Sequence, residues 1–194
     1  MESDDNSHYL IYRALGISVE EGRKIDLFQN KGRFLYKYAG TFVEKATKAC
    51  FLDAFPESKS VRIKNTVSTK PKTFEIDCLV DDLAIEIKWR DATTDGDHIT
   101  KEHERVKAIK AAGYKPVRLM FFAPNRLGAQ KVQRDLEKLY KTVGGEYHAG
   151  KAAWDYVKRY TNTDLFAIIN DIADLSVALS EKQEEMWKID EFGQ

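Results

Sequence analysis

The stretch Thr73-Phe74-Glu75-Ile76-Asp77-Cys78-Leu79-Val80-Asp81-Asp82-Leu83-Ala84-Ile85-Glu86-Ile87-Lys88-Trp89-Arg90 decides the fold. Its first half alternates, with Phe74, Ile76, Cys78 and Val80 on one side. Its second half alternates again, with Leu83, Ile85, Ile87 and Trp89 on one side. A period of two is that of a half-buried strand. Two such runs joined by Asp81-Asp82 predict an antiparallel hairpin. Counting outward from the turn, Val80 opposes Leu83 and Asp77 opposes Glu86. Glu86 and Lys88 are two apart in one strand and project together. The hairpin is therefore expected to set two carboxylates across from one another, with an ammonium beside them.

That grouping has chemical meaning. Carboxylates at cross-strand distance, about 5 Å, repel, and one pKa rises unless a cation stands between them. Hard divalent cations such as Mg²⁺ take oxygen ligands and keep several waters. A metal so held stabilises charge on a phosphate and activates a water. Lys88 is placed to orient that water or to neutralise developing charge. Against this stands the ordinary composition of solvated strand faces, where Glu-x-Lys is common.

Working outward, residues 33–54 read as an amphipathic helix. Phe34, Tyr38, Phe42, Ala46, Ala49 and Cys50 recur at spacings of three and four, and Pro56 closes it. Residues 1–30 read as one or two helices, with Ser18 and Glu21 at capping-box spacing. Val61 and Ile63 suggest a short strand. Beyond the hairpin comes a polar loop from Arg90 to Asp97, then a helix from about Ile99 to Ala112 that stops at Gly113. A strand over 117–122 and a helix from an Asn125 cap to about Val143 follow, and Gly144-Gly145 breaks that helix. From Lys151 the chain reads as helical, with a stripe through Leu165, Ile168, Ile169, Ile172 and Leu175. This order predicts an α/β fold with a mixed central sheet flanked by helices. A single domain is expected: a helical addition over 1–30, a core over 31–165 and an acidic helical tail over 166–194.

Composition sets the bounds. The chain has 194 residues, 43% of them hydrophobic, which excludes wholesale disorder. Its longest apolar runs, about five residues, fall far short of the roughly 20 that span a bilayer. The acidic start, with no apolar stretch behind it, predicts no secretory signal and a cytoplasmic location. Cys50 and Cys78 cannot build a disulfide scaffold or a four-thiolate zinc site. His98 and His103, five apart, suit a shared metal poorly. Lys plus Arg number 31 and Asp plus Glu 31, a net charge of zero, where a nucleic-acid partner usually calls for a positive one. The zero is a cancellation: residues 31–72 hold ten basic and three acidic groups, and residues 164–194 two and eight. A basic face toward phosphates is compatible with that distribution.

Asp77, followed after the turn by Glu86-Ile87-Lys88, resembles the PD-(D/E)xK motif of restriction-endonuclease-like nucleases, with Ile76 where a Pro usually stands. The element order is similar to that superfamily's αβββαβ core. Lys31 to Gly40, Pro71 to Asp77 and Glu86 to His103 are more narrowly similar to the type II restriction endonucleases of the ApaLI type, over about Lys31 to Leu165. The resemblance implies a prokaryotic enzyme that cuts double-stranded DNA at a short, palindromic site with Mg²⁺, one or two ions per active site, leaving 5′-phosphate and 3′-hydroxyl ends. If the family's target carried over, the site would be GTGCAC-like. Asp77, Glu86 and the main-chain carbonyl of Ile87 would hold the metal, and Lys88 would assist the attacking water. Many members add a Glu from the helix before the first strand, and Glu44 is the candidate. A palindromic site calls for a homodimer, and the cognate methyltransferase would act on the same site without stable binding.

The loop after the catalytic strand is the expected base reader, through Arg90, Asp91, Thr93, Thr94, Asp95, Asp97 and His98. Arg pairs with guanine and a carboxylate accepts from cytosine N4. Asp97 also suits a helix cap. Lys101, Arg105 and Lys107, with Arg62, Lys64, Lys70 and Lys72, are expected phosphate contacts. The alternatives are a structure-directed nuclease, such as a junction resolvase or repair nuclease, and a non-catalytic DNA-binding protein of the same fold.

Overall fold

The structure, a computed structural model, describes residues 7–91 and 96–192, with side chains for 7–91 and 99–179. The chain forms two compact units, Met1–Phe42 and Val43–Gln194. The first holds α1 (Tyr9–Ala14) and most of α2 (Val19–Ala54). Ser18 and Glu21 form the expected capping box: Glu21 N–H donates to Ser18 Oγ at 3.2 Å and Ser18 N–H to Glu21 Oε2 at 3.0 Å. From that cap α2 runs unbroken, so the helix expected over 33–54 begins fourteen residues earlier, at Val19. Its expected apolar stripe is also divided. Phe34, Tyr38 and Phe42 are exposed, whereas Val43, Cys50 and Phe51 are buried.

The second unit is built on one sheet, in the order β1 (Lys59–Lys64), β2 (Thr73–Val80), β3 (Leu83–Arg90), β4 (Lys115–Phe122) and β5 (Glu146–Ala149). β1, β2 and β3 are antiparallel, and β3, β4 and β5 are parallel. The parallel pairs are joined through α3 (Gly96–Ala111) and α4 (Leu127–Thr142), and α5 (Lys151–Thr161) and α6 (Leu165–Phe192) follow. The mixed sheet flanked by helices is thus as expected. β5 was not legible: Glu-Tyr-His-Ala is only four residues long, too short to establish a period, and it pairs along the parallel edge of β4. The cap of α4 is Arg126, without a side-chain bond, rather than Asn125. α3 starts at Gly96, which puts Asp97 inside its first turn rather than at its cap.

Both faces of the sheet are covered. On one, Cys78, Val80, Ile85, Ile87, Val117, Leu119 and Phe121 pack with Val43, Cys50 and Phe51 of α2 and with Ala153, Trp154, Tyr156 and Val157 of α5. On the other, Ile63, Phe74, Ile76, Leu79 and Ala84 pack with Ala108 and Ile109 of α3. Val106 continues that layer against Leu136 and Tyr140 of α4.

This division corrects one expectation. Phe74 and Ile76 do not share a face with Cys78 and Val80. The β1–β2 register shifts: Lys59 pairs with Leu79 but Val61 with Ile76, so Asp77 and Cys78 together oppose Ser60. Two residues facing one is a β-bulge, which reverses the side-chain phase beyond it and re-aims the side chains within it. Ser60 Oγ donates to the Asp77 carbonyl at 2.7 Å and fastens the bulge.

Candidate active site

The bulge falls at the residue singled out for chemistry. The β2–β3 ladder pairs Val80 with Leu83, Leu79 with Ala84 and Cys78 with Ile85, the register counted from the turn. At the next step the Asp77 side chain takes the place of the backbone: its Oδ2 accepts from the Ile87 N–H at 2.8 Å. The carboxylate is thereby fixed beside the Glu86-Ile87-Lys88 run. Asp77 also lines a cleft of about 340 Å³ between α2 and β1, with Lys45, Lys48, Ser58, Ser60 and Cys78.

Glu86 lies on the α3 side of β3 and is only 3% exposed. A carboxylate so buried needs compensating charge. Lys88 Nζ stands 2.7 Å from its Oε1, and Arg105 Nη1 pairs with its Oε2. Burial opposes the ionised form of Glu86, but Lys88, Arg105 and Arg118 outweigh it and hold the pKa below the usual carboxylate range. Burial likewise opposes charge on Lys88, but Glu86 beside it wins and keeps the ammonium protonated.

Asp77 carries the opposite balance. Burial first, then the charge of Glu86, push it up to about 7; the Ile87 amide and Lys88 act against that rise, and Glu44 adds to it. Glu44, the helix candidate, is thus close enough to be felt at Asp77, and it pairs with Lys48 at 2.5 Å.

The Asp77 carboxylate is thus bonded to the Ile87 amide and lies close enough to Glu86 to feel its charge. Among the described residues no group of three or more His, Cys, Asp and Glu side chains comes together as a metal site. The donor chemistry still suits a hard cation. Glu86 Oε1 is buried without a hydrogen-bond partner, its approach to Lys88 being an ion pair outside hydrogen-bond geometry. A hard cation would take that oxygen in place of the Lys88 ammonium that now stands 2.7 Å from it.

The expected DNA-contacting residues divide. Asp91 is buried and pairs with Arg118 Nη2 at 2.6 Å, so its carboxylate is engaged inside the protein rather than offered to a base. Arg105, expected at a phosphate, instead holds Glu86. Arg90 is half-buried and pairs with Phe122 in the β3–β4 ladder. Lys64, Lys70, Lys72, Lys101 and Lys107 are exposed, and Arg62 lies 3.5 Å from Glu75 while remaining largely exposed. Lys70 and Lys72 sit on a loop that Asn65 ties together through its bonds to Ser68 and Pro71, and Ser68 Oγ anchors that loop to Glu104 of α3 at 2.8 Å. Thr93, Thr94 and Asp95, and the side chains of Asp97 and His98, lie outside the described residues.

Arg118 and Glu102 were missed. Arg118 is fully buried in β4, with Nη1 3.2 Å from Glu102 Oε2, and Tyr140 donates to the same oxygen at 3.3 Å. One signal was available: an Arg within the apolar run Val117 to Phe122 can be buried only if paired. Its partners lie on other elements and are invisible locally.

The family model of the ApaLI-like restriction endonucleases matches residues 1–174. This chain belongs to the ApaLI-like restriction endonuclease family. Membership makes it a nuclease of the restriction type, acting on DNA, with the α/β fold just described. The match covers α1 through the first part of α6, so the added helices at both ends share in the family pattern. No curated protein and no solved structure matches significantly. Among the described residues no helix is long and apolar enough to cross a membrane.

Proposed function

We propose that this ApaLI-like chain is a Mg²⁺-dependent type II endonuclease that hydrolyses both strands of duplex DNA at a short palindromic sequence. The observation that supports this most is Asp77 held by the Ile87 amide beside a buried Glu86 and a protonated Lys88. Asp77, Glu86 and the Ile87 carbonyl would hold Mg²⁺, with Glu44 of α2 the candidate to join them or to help hold a second ion. Bound there, the ion supplies Lewis acidity toward the phosphate and lowers the pKa of a coordinated water.

The chain's own residues do the rest. Asp77 and Glu86 would hold the ion in place, and their negative charge keeps the phosphate from binding there without it. Lys88, kept cationic by Glu86, acts as a donor: it orients the attacking water and offsets charge on the phosphate oxygens. The attacking water gives up a proton to solvent as its oxygen forms the new bond to phosphorus and the bond to the 3′ oxygen breaks. That oxygen leaves as a 3′-hydroxyl after taking a proton from solvent, and the phosphate stays on the 5′ end. Lys45 and Lys48 on the cleft wall, with Lys70, Lys72 and Lys101, are placed to meet the DNA backbone. A homodimer supplies one active site per strand, and a cognate methyltransferase would protect the same site.

The test is digestion of a long mixed-sequence duplex in Mg²⁺, followed by sequencing of the fragment ends. Discrete fragments sharing one palindrome, with binding but little cutting in Ca²⁺, are expected. A uniform smear, or cleavage restricted to branched DNA, contradicts the proposal.

A further inference from the structure

Arg105 is held from several directions. Its Nη1 pairs with Glu86 Oε2 and donates to the Glu75 carbonyl at 3.2 Å, its Nε lies 3.3 Å from Glu102 Oε1 as an ion pair without a hydrogen bond, and its guanidinium sits 5.7 Å from the centre of the Phe74 ring. Glu102 is itself buried and anchored through its other oxygen by the fully buried Arg118 and by Tyr140. Lys88, on the other side of Glu86, has a side chain 35% exposed, and its ion-pair partner among the described residues is Glu86. Two cations thus bracket one carboxylate. One is clamped, and the other rides on a flexible stem.

This asymmetry assigns different work to the two. An ion arriving at Glu86 adds positive charge where two cations already stand, so one must yield. Lys88 has the exposure and the loose stem to turn toward a phosphate or water. Arg105 is bound by Glu102, the Glu75 carbonyl and the Phe74 ring, and stays. We propose that Arg105, locked by Glu102 and Arg118, is a positioning residue that pins Glu86 Oε2 and presents Oε1 to the metal. The inference rests on the Mg²⁺-dependent cleavage proposed above. A planar guanidinium suits the task because it spans Glu86 and Glu102 at once, which an ammonium does not.

The test compares Arg105→Met with the parent protein in three readouts. In single-turnover cleavage at saturating Mg²⁺ the variant should lose about 100-fold, the scale of an ångström's misplacement. DNA binding in Ca²⁺, and its salt dependence, should not change. Mn²⁺ titration by calorimetry should show affinity weakened by about 10-fold or more, as for lost outer-shell support of a metal ligand. A residue that only added positive charge would do the reverse, since its removal would tighten cation binding. Retained cleavage with a salt slope shallower by about 0.9, the loss of one phosphate contact, overturns the proposal. So does unchanged or tighter Mn²⁺ binding. If Arg105→Met does not fold, Arg105→Lys, which keeps the charge but not the fork, should still lose cleavage and Mn²⁺ affinity, and retention of both overturns the proposal. A parent protein that cuts no DNA counts against the proposed function, while the Mn²⁺ titration still decides the role of Arg105.

Discussion

At the scale of single residues, Asp77 carries the electrostatic stress of the site. Burial and Glu86 raise it to about 7 in the metal-free protein. Between its unperturbed value of about 3.9 and 7 the folded state keeps a proton that the unfolded state has lost. Stability therefore falls as pH rises through that window, and the full cost remains above it. Asp77→Asn removes this cost while its amide oxygen still accepts from Ile87. The variant should melt higher than the parent at pH 8 without metal, with the gap narrowing at pH 5, and should cut no DNA. Equal melting temperatures at pH 8 would contradict the account of Asp77. The same shift makes protons compete with metal. At subsaturating Mg²⁺ the cleavage rate should drop as pH falls through about 7, and more Mg²⁺ should move the midpoint lower. A midpoint that ignores Mg²⁺ would separate Asp77 from the metal.

At the scale of elements, the hairpin was legible because its register depends on nearby residues only. Val80 opposes Leu83 across Asp81-Asp82, and counting gives Leu79 opposite Ala84 and Cys78 opposite Ile85, where the ladder ends. The bulge at Asp77 was not, because the extra residue is defined by pairing with β1, through Ser60, and Phe74 to Val80 alternate in sequence regardless. The sequence leaves open whether the polar face of β3 is solvated or part of a site. In fact α3 covers it, so Glu86 needs Arg105, and Arg118 needs Glu102 and Asp91. Helix α3 therefore supplies counter-charge as well as apolar contacts. Removing one member of a buried pair leaves the others uncompensated. Arg118→Met should cost about 3–5 kcal/mol, lowering the melting temperature by about 6 °C or more in a chain of this size. A loss under about 1 kcal/mol in chemical denaturation would show that Asp91 and Glu102 do not depend on Arg118.

At the scale of the whole molecule, net charge says little and its distribution says more. The neutral total combines a basic 31–72 with an acidic 164–194. Among the described residues none of α6 lines the Asp77 cleft, while Lys45, Lys48 and Lys59 do. Exposed Lys64, Lys70, Lys72, Lys101 and Lys107 extend the basic character along β1, the following loop and α3. Replacing Lys64, Lys70, Lys72 and Lys101 by Gln should flatten the salt dependence of DNA binding by about 0.9 per lost phosphate contact. An unchanged slope would place the DNA elsewhere.

The central claim is that Asp77, Glu86 and Lys88 form one hydrolytic site. It is tested most directly by single-turnover cleavage of a duplex carrying the identified site, in Mg²⁺, by the parent, Asp77→Asn and Lys88→Ala proteins, each shown to be folded and to bind that duplex in Ca²⁺. The expected result is cleavage by the parent and none detectable by either variant. Cleavage by folded Asp77→Asn or Lys88→Ala at the parent's rate would contradict the account.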